Sequence, residues 1–303
     1  MSNQNPREVA DGVFSLRTLM VNLFLVREGA SWVLVDAGLR GFATDIREAA
    51  KRFIGTEPPA AIVLTHGHFD HVGSLEAILQ TWDVPVHAHY LERPYLTGMS
   101  PYPPADPLVG RGTMALLSRL YPRGPIDLGS RVRALTAGEV PGLPGWRWIH
   151  TPGHTAGHVS LFRDRDRTLI AGDALTTTKQ ESMLAVVTQR LELHGPPAYY
   201  TQDWTATRES VRRLAALEPE LLVTGHGEPF GGNPMRRELH ELAAHFDARE
   251  VPSVGRYARQ PAVTDERGIV SLPPDPLPKV AAGVALAAGV AWGIARTRST
   301  ARA

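Results

Sequence analysis

The sequence contains no cysteine among its 303 residues. A disulfide framework is therefore excluded, and a metal site must be built from histidine nitrogens and carboxylate oxygens, without thiolate ligands. An excess of charge of one sign is also lacking, because 32 Lys and Arg residues are balanced by 31 Asp and Glu residues, for a net charge of +1. This balance gives no electrostatic reason to expect nucleic acid as a partner.

The N-terminus lacks the apolar region of a signal peptide, since residues 1 to 8 are mostly polar. Export by that route is not indicated, and we expect a cytoplasmic protein. The composition is otherwise ordinary, with 43% hydrophobic and 21% charged residues, which is typical of a folded globular chain. A chain of this length can bury one large core or two small domains.

The most informative stretch is a polar cluster between a predicted strand and a predicted helix. The apolar residues 62 to 64 predict a buried strand, and apolar residues recur at helical spacing within 75 to 79. The turn between them carries His66, His68, Asp70 and His71. Side chains two positions apart in extended backbone point the same way, so His66 and His68 can approach one ion while Asp70 and His71 point towards another.

Three later strands are each predicted to end in one further ligand-type residue. His154 follows the alternating residues 146 to 150 and a Pro-Gly turn, Asp173 follows 168 to 171, and His226 follows 221 to 223. Loops at strand ends cluster over a sheet, so these residues can join the first cluster. Five histidines and two aspartates are enough for two ions that share a carboxylate.

Two other polar residues are candidates for supporting roles. Asp36 ends a predicted strand, where it either caps the turn or orients a ligand histidine. His158 lies four positions after His154, and a structural or ligand-supporting role is favoured for it over metal binding.

These residues resemble the metallo-β-lactamase superfamily, whose characteristic motif is His-x-His-x-Asp-His, here residues 66 to 71. The resemblance extends over about residues 10 to 248 and includes Asp36, His154, Asp173 and His226 at successive strand ends. It implies an α+β fold, a four-layer αβ/βα sandwich of two mixed β-sheets with outer helices.

The resemblance also implies roles for the ligand-type residues. The first ion would be bound by His66, His68 and His154, the second by Asp70, His71 and His226, and Asp173 would bridge them. Two Zn²⁺ ions are the expected cofactors, although nitrogen and oxygen ligands also accept iron and manganese. Two adjacent cations lower the pKa of a shared water from about 15.7 towards about 7, so that a bridging hydroxide forms, and Asp70 would act as the catalytic residue that orients it.

The leading functional hypothesis is a hydrolase of a small ester, lactone or thioester. The alternatives are a phosphodiester hydrolase of the same fold and a non-catalytic, metal-stabilised module associated with a membrane. The absence of cysteine excludes the thiolate-bearing second site of some β-lactamases in the superfamily, and the Asp70 and His71 pair argues against its diiron flavoprotein branch. The sequence His226-Gly-Glu argues against a glutathione thioesterase, and the basic residues expected of a nuclease are scarce.

Substrate choice is expected to depend on two segments outside the motifs. A Pro- and Tyr-rich insert at 92–125 is predicted to be either a lid or an ordered surface loop within a hydrolase domain of residues 1–249. Together with residues 175 to 204, the insert supplies the candidate pocket residues Tyr102, Lys179, Tyr199 and Tyr200. We expect a small-molecule substrate, and the sequence predicts no particular oligomeric state.

Two segments follow the predicted hydrolase domain. Residues 250–278 are proline-rich without periodicity and are predicted to be a linker. Residues 279–303 contain an apolar run at 280 to 295 and a basic tail. A helix over that run would be about 24 Å long, shorter than the roughly 30 Å hydrocarbon core of a bilayer. Membrane attachment through 279–296 and a dimerising or loosely packed helix are the two alternatives.

Overall fold

The computed structural model describes residues 6–110, 112–136 and 138–277. Two β-sheets pack face to face and helices cover their outer faces, which confirms the predicted four-layer sandwich. The segment 279–303, with its predicted membrane or dimer helix, lies outside the described residues. Within the described ranges, the helices are all too short or too polar to span a bilayer.

The first sheet has seven strands that lie side by side in chain order. They are β1 (Arg7–Ala10), β2 (Val13–Thr18), β3 (Val21–Glu28), β4 (Ser31–Val35), β5 (Ala61–Val63), β6 (Val86–Ala88) and β7 (Val132–Ala134). The pairs from β1 to β4 are antiparallel and those from β4 to β7 are parallel. Strand β3 begins at Val21, because Leu19 adopts a positive φ of 61° in the preceding turn.

The second sheet has six strands in the order β13-β12-β11-β10-β9-β8. In chain order they are β8 (Glu139–Val140), β9 (Leu143–His150), β10 (Val159–Arg163), β11 (Thr168–Ile170), β12 (Leu221–Val223) and β13 (Phe230–Gly231). Strands β11 and β12 pair in parallel, and the other neighbours pair antiparallel. Both sheets are therefore mixed, as predicted.

The helices of the described ranges are mostly short. They are α1 (Ala43–Phe53), α2 (Phe69–Val72), α3 (Leu75–Leu79), α4 (Arg93–Leu96), α5 (Thr113–Leu117), α6 (Met183–Thr188), α7 (Trp204–Ala215), α8 (Gly232–Ala244) and α9 (Phe246–Arg249). Helices α1 and α3 cover the outer face of the first sheet, and α7 and α8 cover that of the second.

Side-chain alternation along the strands explains why the sheets are buried on both faces. On β3, Leu23 and Leu25 pack under the helices of the first sheet, whereas Phe24 and Val26 pack against the second sheet. Successive side chains of a strand point to opposite faces, so one continuous apolar run serves both layers. The sequence therefore places β3 at the centre of the sandwich.

The segment predicted as a linker makes defined contacts with the rest of the chain. It forms a two-stranded hairpin of β14 (Val263–Asp265) and β15 (Gly268–Ser271). The hydroxyl of Tyr257, a buried residue, donates to the Pro104 carbonyl of the insert over 2.7 Å. Strands of three and four residues are too short to show periodicity in the sequence, so the sequence did not predict this hairpin. The boundary of the hydrolase domain at residue 249 remains a prediction.

Candidate metal centre

The sheet topology brings all seven predicted ligand residues together at one edge of the sandwich. The loop between β5 and α2 carries His66 and His68, and α2 itself carries Asp70 and His71. His154 lies between β9 and β10, Asp173 follows β11, and His226 follows β12. Because β11 and β12 run parallel and in register, with Ile170 opposite Val223, the residues that follow them meet at the same edge.

Three of the histidines form a first candidate position for an ion. Nδ1 of His68 lies 2.9 Å from Nε2 of His66 and 2.9 Å from Nε2 of His154. Burial and the neighbouring histidines lower the pKa of His66 and His68 well below the ordinary value, and burial lowers that of His154 to about 4. Three neutral imidazoles thus turn nitrogen atoms towards one point.

A second candidate position is formed by Asp70, His71 and His226, whose ligand atoms lie within 4.8 Å of one another. Burial acts to lower the pKa of His71, but the carboxylates of Asp173, Asp70 and Asp36 outweigh it and raise the pKa well above its ordinary value. This position therefore favours positive charge, which a proton or a metal cation can supply.

Asp173 lies between the two positions. Its Oδ1 is 3.4 Å from Nε2 of His71, and its Oδ2 is 3.2 Å from Nε2 of His226 and 3.6 Å from Nε2 of His154. Burial acts to raise the pKa of Asp173, but His226 and His71 outweigh it and hold the pKa well below its usual range. The carboxylate is ionised and contacts both groups.

The hydrogen bonds on the far side of the rings fit a metal site. Three histidines donate a ring N–H outward: His66 to Thr65 Oγ1 (3.1 Å), His71 to Asp36 Oδ2 (2.9 Å) and His226 to the Met20 carbonyl (3.1 Å). Each then turns Nε2 towards the centre. Nε2 of His71 and Oδ1 of Asp173 are buried and have no hydrogen-bond partner within the described part of the chain. Nitrogen and oxygen atoms that face one another without hydrogen-bond partners are the kind of ligands that bind divalent cations.

Asp36 and His158 each contact a ligand residue. Asp36, at a left-handed φ of 62°, accepts hydrogen bonds from the Thr65 backbone N–H (2.8 Å) and hydroxyl (2.8 Å) as well as from His71. Nε2 of His158 accepts from the Asp173 backbone N–H over 2.9 Å, and its Nδ1 lies 2.8 Å from Thr151 Oγ1. Each residue can therefore fix the orientation of one ligand.

The candidate pocket residues occupy different places. The rings of Tyr102 and Tyr200 lie against the His68 ring, each with a centroid distance of 4.5 Å, and Tyr199 packs beside Tyr200. The Tyr200 hydroxyl is buried and unpartnered among the described residues. Lys179 instead is exposed and lines a surface groove between α5 and α6 with residues such as Thr113 and Val187.

Two polar residues at the centre were not predicted from the sequence. Thr65 connects Asp36 to His66 through its hydroxyl. Glu92 is fully buried at the start of the insert and accepts hydrogen bonds from the loops of His68 and His154. Neither residue belongs to a spaced motif, and because Arg93 follows Glu92, the sequence did not single Glu92 out as a buried carboxylate.

Known proteins resemble this chain in sequence and in structure. The family model described as the metallo-beta-lactamase superfamily matches residues 16–226. The probable metallo-hydrolase YflN of Bacillus subtilis is 50% identical over 241 residues, which cover 78% of this chain and 91% of that protein. The probable metallo-hydrolase YybB of the same organism is 29% identical over 231 residues, covering 74% of this chain and 91% of YybB.

A solved structure shares the fold. The crystal structure of a beta-lactamase domain protein from Burkholderia ambifaria superposes with a TM-score of 0.58 at 22% identity, covering 82% of this chain and 78% of that chain. At this identity the likeness concerns the arrangement of strands and helices.

Proposed function

Because this chain belongs to the metallo-β-lactamase superfamily and is a metallo-hydrolase, we propose that it hydrolyses a small, neutral or weakly charged ester, lactone or thioester, with two zinc ions as cofactors. The observation that carries the proposal is the convergence of the seven ligand residues on two adjacent positions, with the Asp173 carboxylate between them.

The side chains around the exposed edge of the metal centre support a small acyl substrate. The Asp70 side chain is 16% exposed, against 4% for His226, 3% for Asp173 and 0% for His71, so solvent and substrate would approach at Asp70. Apolar and aromatic side chains pack together beside Asp70, namely Met20, Phe69, Tyr121, Tyr199 and Tyr200, and Arg40 and Arg123 line the cavity that Phe69 also lines. The aromatic side chains would bind the apolar part of a small acyl substrate.

Divalent cations held by these residues would supply a Lewis acid for the substrate oxygen and a water that ionises near neutral pH. A carboxylate oxygen of Asp70 would accept a hydrogen bond from the attacking water and orient it. In the metal-free chain, burial raises the pKa of Asp70, although His71 and His226 oppose the shift.

Tyr200 would contribute a hydrogen-bond donor beside His68. Burial, together with the nearby Asp70 carboxylate, raises the pKa of its hydroxyl, so the hydroxyl stays protonated. An unpartnered O–H in a buried site can donate to the carbonyl oxygen of a bound substrate.

We expect aryl esters, lactones and thioesters to be hydrolysed with a higher kcat/KM than bis-aryl phosphates by the zinc-loaded chain. The Asp70→Asn variant should lose about 10²–10⁴-fold in kcat/KM on the preferred carbonyl substrate, because the amide cannot take up a proton. A spectrophotometric panel of these substrates measures both effects, with zinc content determined for each sample.

Two outcomes of this panel would contradict the proposal. Faster turnover of the bis-aryl phosphates would favour a phosphodiesterase of the same fold. Full zinc occupancy without hydrolysis of any substrate, and unchanged by Asp70→Asn, would favour a non-catalytic module.

A further inference from the structure

Glu92 is a fully buried carboxylate close to the metal centre, in a short 3-10 turn (Tyr90–Glu92) at the start of the insert. Its Oε1 accepts hydrogen bonds from Thr155 Oγ1 (2.7 Å) and the Gly157 backbone N–H (3.0 Å). Its Oε2 accepts from the Gly67 backbone N–H (3.0 Å) and the Tyr102 hydroxyl. Both oxygens are thus saturated by donors.

These donors belong to the two loops that carry the first ion position. Gly67 lies between His66 and His68, and Thr155 directly follows His154. The hydrogen bonds therefore connect, through one side chain, two loops that are about ninety positions apart in the chain. The convergence of the three histidine nitrogens depends on the separation of these loops.

The glycines of the two loops allow this close approach. A Cβ on Gly157 would lie 2.7 Å from Oε1 of Glu92, and a Cβ on Gly67 would lie 2.7 Å from the Tyr102 hydroxyl. Both distances are shorter than real Cβ contacts, so a side chain at either position would displace the carboxylate or the tyrosine. The close contact between the two loops and Glu92 therefore requires glycine at both positions.

The second position is supported differently. His71 is oriented by Asp36, and His226 donates to the Met20 carbonyl. Neither contact involves Glu92 or the insert. A change at Glu92 should therefore act on one ion position and leave the other intact.

We propose that Glu92 is a positioning residue that holds the His66–His68 loop and the His154–Gly157 loop at the separation needed for His66, His68 and His154 to bind one ion. The inference rests on the proposed two-metal centre and is independent of the substrate. It gives the first residue of the insert a role in metal binding.

The test is the Glu92→Gln variant of the full chain, titrated with Zn²⁺ alone. Glutamine has nearly the same shape as glutamate, but one of its two terminal groups is an NH₂ donor. That group would face the hydrogen-bond donors that a carboxylate oxygen accepts from in the wild-type chain. We expect the dissociation constant of one of the two ions to rise about 10–100-fold, the usual effect of removing a partner that orients ligands, while the other changes less than about threefold. Competition with a chromophoric chelator measures both constants.

Glu181→Gln is the matched control. Glu181 is also a buried glutamate that accepts from a backbone N–H, that of Ala198 over 2.7 Å, and its side chain has no hydrogen bond to either of these two loops among the described residues. We expect this variant to bind both ions as the wild-type chain does. A loss of affinity in both variants would indicate a general effect of burying an amide and would overturn the inference.

Thr155→Val keeps the test decisive if Glu92→Gln does not fold. This change removes one of the four hydrogen bonds to Glu92 and preserves the side-chain shape, so a smaller increase in the same dissociation constant is expected. A folded Glu92→Gln or Thr155→Val chain with both constants unchanged would refute the role of Glu92. If the wild-type chain itself binds fewer than two ions, the proposed function fails instead.

Discussion

Replacing Asp173 by asparagine is expected to remove at least one bound ion per chain and to lower kcat/KM by about 10²–10⁴-fold. The Asp173 carboxylate lies within 3.6 Å of ring nitrogens from both ion positions, so its charge contributes to each. Removing one partner from a buried charged group typically costs about 3–5 kcal/mol, which corresponds to that loss of rate when it falls on the reactive state. Elemental analysis and steady-state kinetics on the same sample measure both effects.

Asp106→Asn is a suitable control for this change. Asp106 is a buried aspartate of the insert that accepts a hydrogen bond from the Leu108 backbone N–H, and it is absent from the groups of potential ligands found in the described residues. We expect Asp106→Asn to retain both ions. Two ions and wild-type rates in Asp173→Asn would show that Asp173 does not connect the two positions.

Replacing Asp36 by alanine should lower the free energy of unfolding of the metal-free chain by about 4 kcal/mol. Three donors lose their buried acceptor, namely the Thr65 backbone N–H, the Thr65 hydroxyl and Nδ1 of His71, and each unsatisfied buried group costs about 1–3 kcal/mol. The left-handed φ of 62° adds strain for alanine. Chemical denaturation monitored by circular dichroism gives the difference.

Asp36→Asn separates the backbone effect from the effect on His71. Asparagine tolerates the left-handed region, and its carbonyl can still accept from Thr65, so most of the stability should remain. The amide cannot also accept from His71, and we expect weaker binding of the ion at the second position. An Asp36→Ala chain as stable as the wild type would contradict the hydrogen-bond assignment.

The convergence of the candidate ligand residues was predictable because its strongest signal is local. His66, His68, Asp70 and His71 lie within one turn after a buried strand, and the other ligands follow strands whose apolar runs are easy to recognise. The C-terminal ends of parallel strands lie at the same edge of a sheet, so the strand pattern predicted that the residues following these strands would lie close together. The four-layer fold was predicted only through the resemblance of these motifs to the metallo-β-lactamase superfamily.

The remaining features depend on contacts between distant residues. Glu92 has partners at Gly67, Thr155 and Gly157, and the sequence does not tell which loops approach an isolated glutamate. Strands β14 and β15 are too short for periodicity, so the sequence did not indicate a hairpin in the proline-rich segment 250–278. Lys179 was grouped with the pocket because it lies between Asp173 and Tyr199 in sequence, whereas its side chain lines an outer groove.

The most direct test of the proposed chemistry is a titration of the metal-free chain with Zn²⁺ in which bound zinc and hydrolysis of the preferred carbonyl substrate are recorded together. We expect binding to saturate at two ions per chain and hydrolysis to appear only as these ions bind. Hydrolysis at the full rate by the metal-free chain, or saturation with two ions that brings no hydrolysis, would contradict a function based on this centre.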